Sequence, residues 1–188
     1  MDERAIDNAL LKKAIRGDDD SLRMLFGRHM DAVYGFLVRF LGSSSDADDV
    51  TQETFIRLWK NLKKFDTAKS FRTWAFGIAR NAAIDHLRKR KNVPFSSFDG
   101  EEGGNVLTDS IADKADLPDA FVARKQDAEE LRNALDELPP AYREVVLLRL
   151  DGDLQFDEIG ETLGQPMDTV KSRYRRALAM LKNMLEKP

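Results

Sequence analysis

The chain predicts an all-α protein made of two small helical domains joined by a flexible acidic linker, and three observations carry that expectation. Apolar residues recur at three- and four-residue intervals through every long segment, the spacing of a helix with one buried face. No run has the alternating, β-branched character of a strand. Both Trp and all Phe except Phe121 and Phe156 precede Gly100, whereas the C-terminal third relies on Leu, Val and Ile, so two separately built cores are expected. A length of 188 residues suits one ordinary domain or two small ones.

The elements follow in order. Leu10, Leu11, Ala14 and Ile15 form a first apolar stripe, and Leu22, Leu25, Phe26, Val33, Phe36, Leu37, Phe40 and Leu41 a second. Gly17 and the acids Asp18 to Asp20 divide them into two helices. The segment SSSDADDVTQETFIRLWKNLKKF offers Ser45 with Asp48 as a start resembling a capping box, with further acids where the helix dipole favours them. Ala47, Val50, Thr51, Thr54, Phe55, Leu58, Trp59 and Leu62 then line its inner face. After a polar loop, Asp66 to Ser70, a long helix runs from Phe71 to about Lys91, where Asn92 and Pro94 stop it.

Between Ser96 and Arg124 seven acids accompany Gly100, Gly103, Gly104 and Pro118 without periodicity, the composition of a mobile linker. The expected division is therefore a domain over 1–95, a linker over 96–125 and a domain over 126–188. In the last part Ala128, Leu131, Leu135 and Leu138 mark one helix, Pro139-Pro140 a break, and AYREVVLLRL a second helix ending at Asp151-Gly152-Asp153. Two more helices, Phe156 to Leu163 and Met167 to Leu185, flank Gly164-Gln165-Pro166.

That last pair has the form of a helix-turn-helix, whose second helix enters the major groove of DNA. Ile159, Leu163, Val170, Tyr174 and Leu178 are spaced to face inward, leaving Thr169, Lys171, Ser172, Arg173, Arg175 and Arg176 for groove and flanks. The net charge is -3, yet residues 171–182 hold five bases and no acid. Positive charge is thus concentrated on the element that would meet phosphate, rather than spread over the surface. A second basic cluster, Arg88 to Lys91, follows the aromatic segment WAFGIARNAA. Cations there complement a helix C-terminus, and beside Trp74 and Phe76 they also fit a single strand, whose bases stack on rings while its backbone meets positive charge. Asp49, Gln52 and Glu53 form an acidic face at i, i+3, i+4, with Arg57 placed for an ion pair to Glu53.

Several classes are disfavoured. There is no Cys, so neither a disulfide framework, a thiol redox sensor nor a Cys-ligated zinc is expected. His29 and His86 are the only histidines, and no HExxH, GxSxG or Walker sequence occurs, so no enzyme, metal or cofactor is expected. The N-terminus opens with acids rather than a basic region and an apolar run, and no membrane-length apolar stretch is present, which implies a cytoplasmic protein without direct membrane insertion. A dimeric helix-turn-helix regulator would account for the C-terminus. It leaves the acidic face and the aromatic-basic segment unused, and no dimerisation heptads are visible.

Taken together, DADDVTQETFIRLWKNL, FRTWAFGIARNAAIDHLRKR and LPPAYREVVLLRLDGDLQFDEIGETLGQPMDTVKSRYRRALAML resemble, in order, regions two and four of the extracytoplasmic-function sigma factors of bacterial RNA polymerase. The resemblance covers nearly the whole chain. It implies a sigma factor that binds core polymerase, directs it to promoters and promotes melting, restrained by an anti-sigma factor. Asp49, Gln52, Glu53 and Ile56 would dock on the clamp helices of the largest subunit, and region four on the flap. Phe65, Asp66, Thr67, Ala68, Lys69, Ser70 and Phe71, with Asn81, would form a pocket for a flipped base. Trp74, Phe76, Arg80, Arg88, Lys89 and Arg90 would support the minus-ten strand. Thr169, Lys171, Ser172, Arg173, Arg175 and Arg176 would read the minus-thirty-five duplex. Three positions depart from the family pattern. Gln155 stands where a Ser or Thr cap is common, so that cap is expected to be weaker and replaced by Asp153; Gly160 stands where alanine is usual, and Asp168 where glycine or a neutral residue is frequent.

Overall fold

The computed structural model describes residues 3–91 and 125–186, and all regular structure among them is helical. The helices are α1 (Glu3–Ile15), α2 (Asp19–Leu41), α3 (Ser44–Asn61), α4 (Phe71–Lys91), α5 (Lys125–Glu137), α6 (Pro140–Leu150), α7 (Phe156–Leu163) and α8 (Met167–Leu185), with a single 3-10 turn, Leu62–Lys64, after α3. The expected linker over 96–125 lies, apart from Lys125, outside the described residues, as do the Asn92 and Pro94 stop signals.

Helix boundaries follow local chemistry. Gly42 closes α2 in the left-handed conformation at φ 69°, which glycine adopts without a side-chain clash, and its N–H reaches the Val38 carbonyl. The α3 cap is Ser43, whose Oγ accepts the Asp46 N–H at 3.3 Å, so the cap lies two residues before the expected Ser45. Any of three consecutive serines could cap; Ser43 is the one whose hydroxyl meets a first-turn N–H. Pro140 opens α6 at a position where its missing N–H costs nothing.

Packing joins α1 through α4 around Leu25, Val33, Phe36, Leu37, Leu58 and Phe76, while α5, α6 and α8 enclose Val145, Leu148, Val170, Tyr174 and Leu181. The two helical domains are as expected, and they also touch. α4 packs on α7 and α2 on α6, and the buried apolar residues form one connected cluster. One buried polar set anchors α1: Asp7 accepts from Arg28 Nε at 2.8 Å and pairs with His29 Nε2 at 2.8 Å. Burial holds the His29 imidazole below its usual range, although Asp7 pulls in the opposite direction.

Candidate functional site

α3 sorts its side chains by helical angle. Ala47, Val50, Thr54, Phe55 and Leu58 are buried, and Thr54 donates to the Val50 carbonyl within the helix. Asp49, Gln52, Glu53 and Ile56 emerge together on the exposed side, Ile56 being 49% exposed. Arg57 pairs with Glu53 at 2.9 Å as expected, and also spans to Asp85 of α4 at 3.2 Å. Trp59 departs from expectation: it is 60% exposed rather than part of the inner stripe. The reason is angular. Phe55, Leu58 and Leu62 already fill the core-facing arc, and Trp59 falls just outside it, continuing the Gln52, Ile56 row. Sequence reasoning therefore missed one member of this face.

The loop from Phe65 to Phe71 turns at Asp66, which accepts the Ala68 N–H at 3.0 Å. Asp66, Thr67, Ala68 and Lys69 are exposed, and Ser70 is half-buried. The rings divide sharply. Phe71 and Phe76 are 1% and 0% exposed, Phe71 packing on Phe65 and Trp74 and Phe76 on Phe36. Both rings are therefore covered by the core in this structure, in contrast to the strand contact expected of them. Trp74 remains partly accessible, tilted over Phe65 with ring centroids 4.6 Å apart, and Asn81 is exposed. Arg88 and Lys89 are exposed near the end of α4, whereas the Arg90 side chain lies outside the described residues.

Arg80 also points inward. It is buried and clasps Glu144 of α6, Nε to Oε2 at 2.8 Å and Nη2 to Oε1 at 3.2 Å, so in this arrangement it faces a carboxylate instead of solvent. The loop and α4 form one wall of a cleft of about 560 Å³; the opposite wall is α7. Glu144 was recognisable in sequence only by its place. Within α6 it shares the stripe of Ala141, Val145 and Leu148, where an acid is anomalous.

In the last two helices, Ile159, Val170 and Tyr174 are buried and Leu163 and Leu178 pack against them, as spaced. Gly164 makes the turn at φ 65°. Gly160 is explained by contact: a Cβ there would lie 2.8 Å from the Gln165 carbonyl oxygen, which is tighter than a side chain tolerates. The α7 cap is completed by Glu158, which accepts the Gln155 N–H at 2.9 Å, rather than by Asp153. Asp168 is exposed in the first turn of α8, where the dipole favours an acid. Thr169, Lys171, Ser172, Arg175 and Arg176 are half-buried along α8. Arg173 instead turns inward and donates to Gln165 Oε1 at 2.7 Å, tying α8 to the turn before it, so in this structure its side chain faces the turn rather than solvent.

An acidic, partly apolar face on one half and a helix-turn-helix with a basic second helix on the other define a class, the promoter-reading transcription proteins of the Sigma-70 type. Residues 25–93 match Sigma-70 region 2 and residues 128–181 match Sigma-70 region 4. The chain belongs to the extracytoplasmic-function (ECF) RNA polymerase sigma factors. It is 33% identical to the ECF RNA polymerase sigma factor SigW of Bacillus subtilis, over 93% of this chain and 94% of that protein. It is 30% identical to the RNA polymerase sigma factor NccH of Alcaligenes xylosoxydans, over 99% of this chain and 98% of that one. A structure of CnrH in complex with the cytosolic domain of CnrY superposes with a TM-score of 0.71 at 26% identity, covering 96% of this chain and 97% of CnrH. The sigma factor RpoE of Bartonella quintana, solved in complex with the anti-sigma factor NepR, shares the fold at a TM-score of 0.67 and 22% identity, covering 87% and 96% of the two chains. Among the described residues no helix is long and apolar enough to cross a membrane, and no cluster of acidic or histidine side chains could hold a metal ion.

Proposed function

We propose that this chain directs core RNA polymerase to specific promoters and stabilises the opened DNA, acting in the cytoplasm and performing no catalysis itself. In this reading 1–95 docks on polymerase and holds the minus-ten strand, 126–188 reads the minus-thirty-five duplex and meets the flap, and 96–125 links them. The observation that carries it is the exposed row Asp49, Gln52, Glu53 and Ile56 on α3, now extended by Trp59. Two acids beside an exposed Ile and Trp fit a basic, partly apolar helical partner, such as the clamp helices of the largest subunit.

Asp66, Thr67, Ala68, Lys69, Ser70 and Asn81 supply the polar pocket for an unpaired base, with Phe65, Phe71 and Phe76 fixing the loop and α4 from beneath. Capturing such a base offsets the free energy of unpairing it. Trp74, Arg88 and Lys89 extend the same surface along the strand. Thr169, Lys171, Ser172, Arg175 and Arg176 then address groove and phosphates of the duplex. An anti-sigma factor belongs to the reading as well. CnrH, similar in shape and sequence to this chain, is held by the cytosolic domain of another protein, CnrY, which supports a protein partner here.

The test is run-off transcription with bacterial core polymerase on a promoter-fragment library, comparing the native chain with an Asp49→Arg, Glu53→Arg variant. The native chain is expected to support initiation from a shared two-element motif, and the variant to lose it while keeping its helical content. Equal transcription by both would remove α3 as the docking face. No initiation by either would sink the promoter-directing reading.

A further inference from the structure

The contact between the two halves runs through the groups assigned above to the minus-ten strand. α7 lies against α4, and the wall it gives the cleft is acidic, with Asp157, Glu158 and Glu161. Facing them are Lys69, Ser70, Trp74 and Asn81. Lys69 Nζ pairs with Glu161, and Thr73 Oγ1 donates to Glu158 Oε1 at 2.8 Å. Behind this row Arg80 is enclosed by Glu144, and Arg72 donates to the Gly152 carbonyl. Gly77 of α4 faces Thr162 of α7 across this contact, and a Cβ there would stand at an ordinary 3.8 Å from the Thr162 methyl.

Carboxylates spaced along a helix and set against a Lys, an Arg and an exposed Asn present what a nucleic-acid strand would present, negative charge and hydrogen-bond acceptors. We propose that the acids of α6 and α7 act as an intramolecular mimic of the minus-ten strand, so that the free protein closes on itself and promoter strand and α7 compete for one surface. The proposal rests on the assignment of the polar loop residues 66–70 and Asn81 to that strand.

The energetics suit a contact that must release. Lys69 and Glu161 are each about half exposed, and such pairs contribute little. Arg80 and Glu144 are almost fully desolvated, which offsets much of their attraction while leaving the geometry specific. The Lys69 ammonium is held above its usual range by its hydrogen bond to Glu161, consistent with a formed pair.

The experiment uses the full chain without polymerase. Binding of a fluorescein-labelled single-stranded deoxyoligonucleotide with a randomised central hexamer is followed by anisotropy, and chain dimensions by small-angle scattering. The proteins compared are the native chain, Glu158→Gln with Glu161→Gln, Glu144→Gln, and Asp19→Asn with Asp20→Asn as a control for net charge. Circular dichroism verifies that each is folded. The α7 and α6 variants are expected to expand and to bind about tenfold tighter, as removing a dominant competing state does, with the control unchanged in both. A native chain already as extended as the variants, an expansion without gain in affinity, or an equal gain in the control would each overturn the proposal. Run-off transcription on the same proteins separates the two readings. If the native chain fails there, the promoter-directing function falls, whereas the competition is judged by the polymerase-free measurements.

Discussion

Gly160 shows how one position couples propensity to packing. In a helix interior glycine costs about 1 kcal/mol relative to alanine, so on propensity alone Gly160→Ala would stabilise α7. The contact opposes this, because a Cβ would sit 2.8 Å from the backbone oxygen of Gln165, and a backbone atom in a tight turn has little room to retreat. Gln165 is also held from its own side, its N–H donating to the Gly160 carbonyl at 2.9 Å. Overpacking of this kind costs about 1–3 kcal/mol, enough to exceed the propensity gain. Gly160→Ala is therefore expected to lower the denaturation midpoint in urea and weaken duplex binding by displacing α8 relative to α7. An increase in midpoint would mean that the turn yields. The departure from alanine was plain in the sequence, but its cause was not, since the neighbour that forbids a Cβ is a backbone atom five residues on.

Among the elements, the ones best read from sequence were those whose apolar stripe follows a single angular sector. α2, α3 and the α7–α8 pair emerge nearly as spaced, because helical periodicity reports burial directly. The failures share a cause. Trp59 lies at the margin of its stripe, whereas Phe71 and Phe76 lie within the core, and periodicity cannot say which ring the neighbouring helices will cover. Arg173 and Arg80 fail differently, as cations whose inward partners, Gln165 and Glu144, come from other elements. With Arg173 turned inward, the outward charge of α8 rests on Lys171, Arg175, Arg176 and Lys182. If Arg175 and Arg176 each neutralise one phosphate, replacing both by Ala should reduce the slope of log affinity against log salt by roughly 1.8, at about 0.9 per phosphate. Anisotropy titrations on duplex promoter DNA between low and moderate salt measure this. An unchanged slope would place α8 outside the duplex contact.

At the scale of the whole molecule, the question is whether the two halves form one cooperative unit, and Arg80 with Glu144 decides it. Arg80→Ala removes the guanidinium clasp from Glu144, which is fully buried. In a rigid protein, breaking a buried ion pair by removing one partner costs about 3–5 kcal/mol. Here the chain has an alternative, since separating the α2–α4 half from the α6–α7 half returns Glu144 to water at the cost only of their shared surface. The loss is thus capped by the free energy of opening, and each half keeps its own core. Arg80→Ala is expected to increase the radius of gyration while moving the main unfolding transition little. Arg80→Met with Glu144→Leu removes both charges and keeps volume, so it should stay closed, and apolar replacement of a buried pair is commonly neutral or stabilising. That double variant should also be the poorer initiator with core polymerase, because opening it exposes apolar surface in place of two hydrated charges. If Arg80→Ala instead lowers global stability by the full amount without expanding, the halves unfold as one body, and their contact is part of the fold rather than a latch upon it.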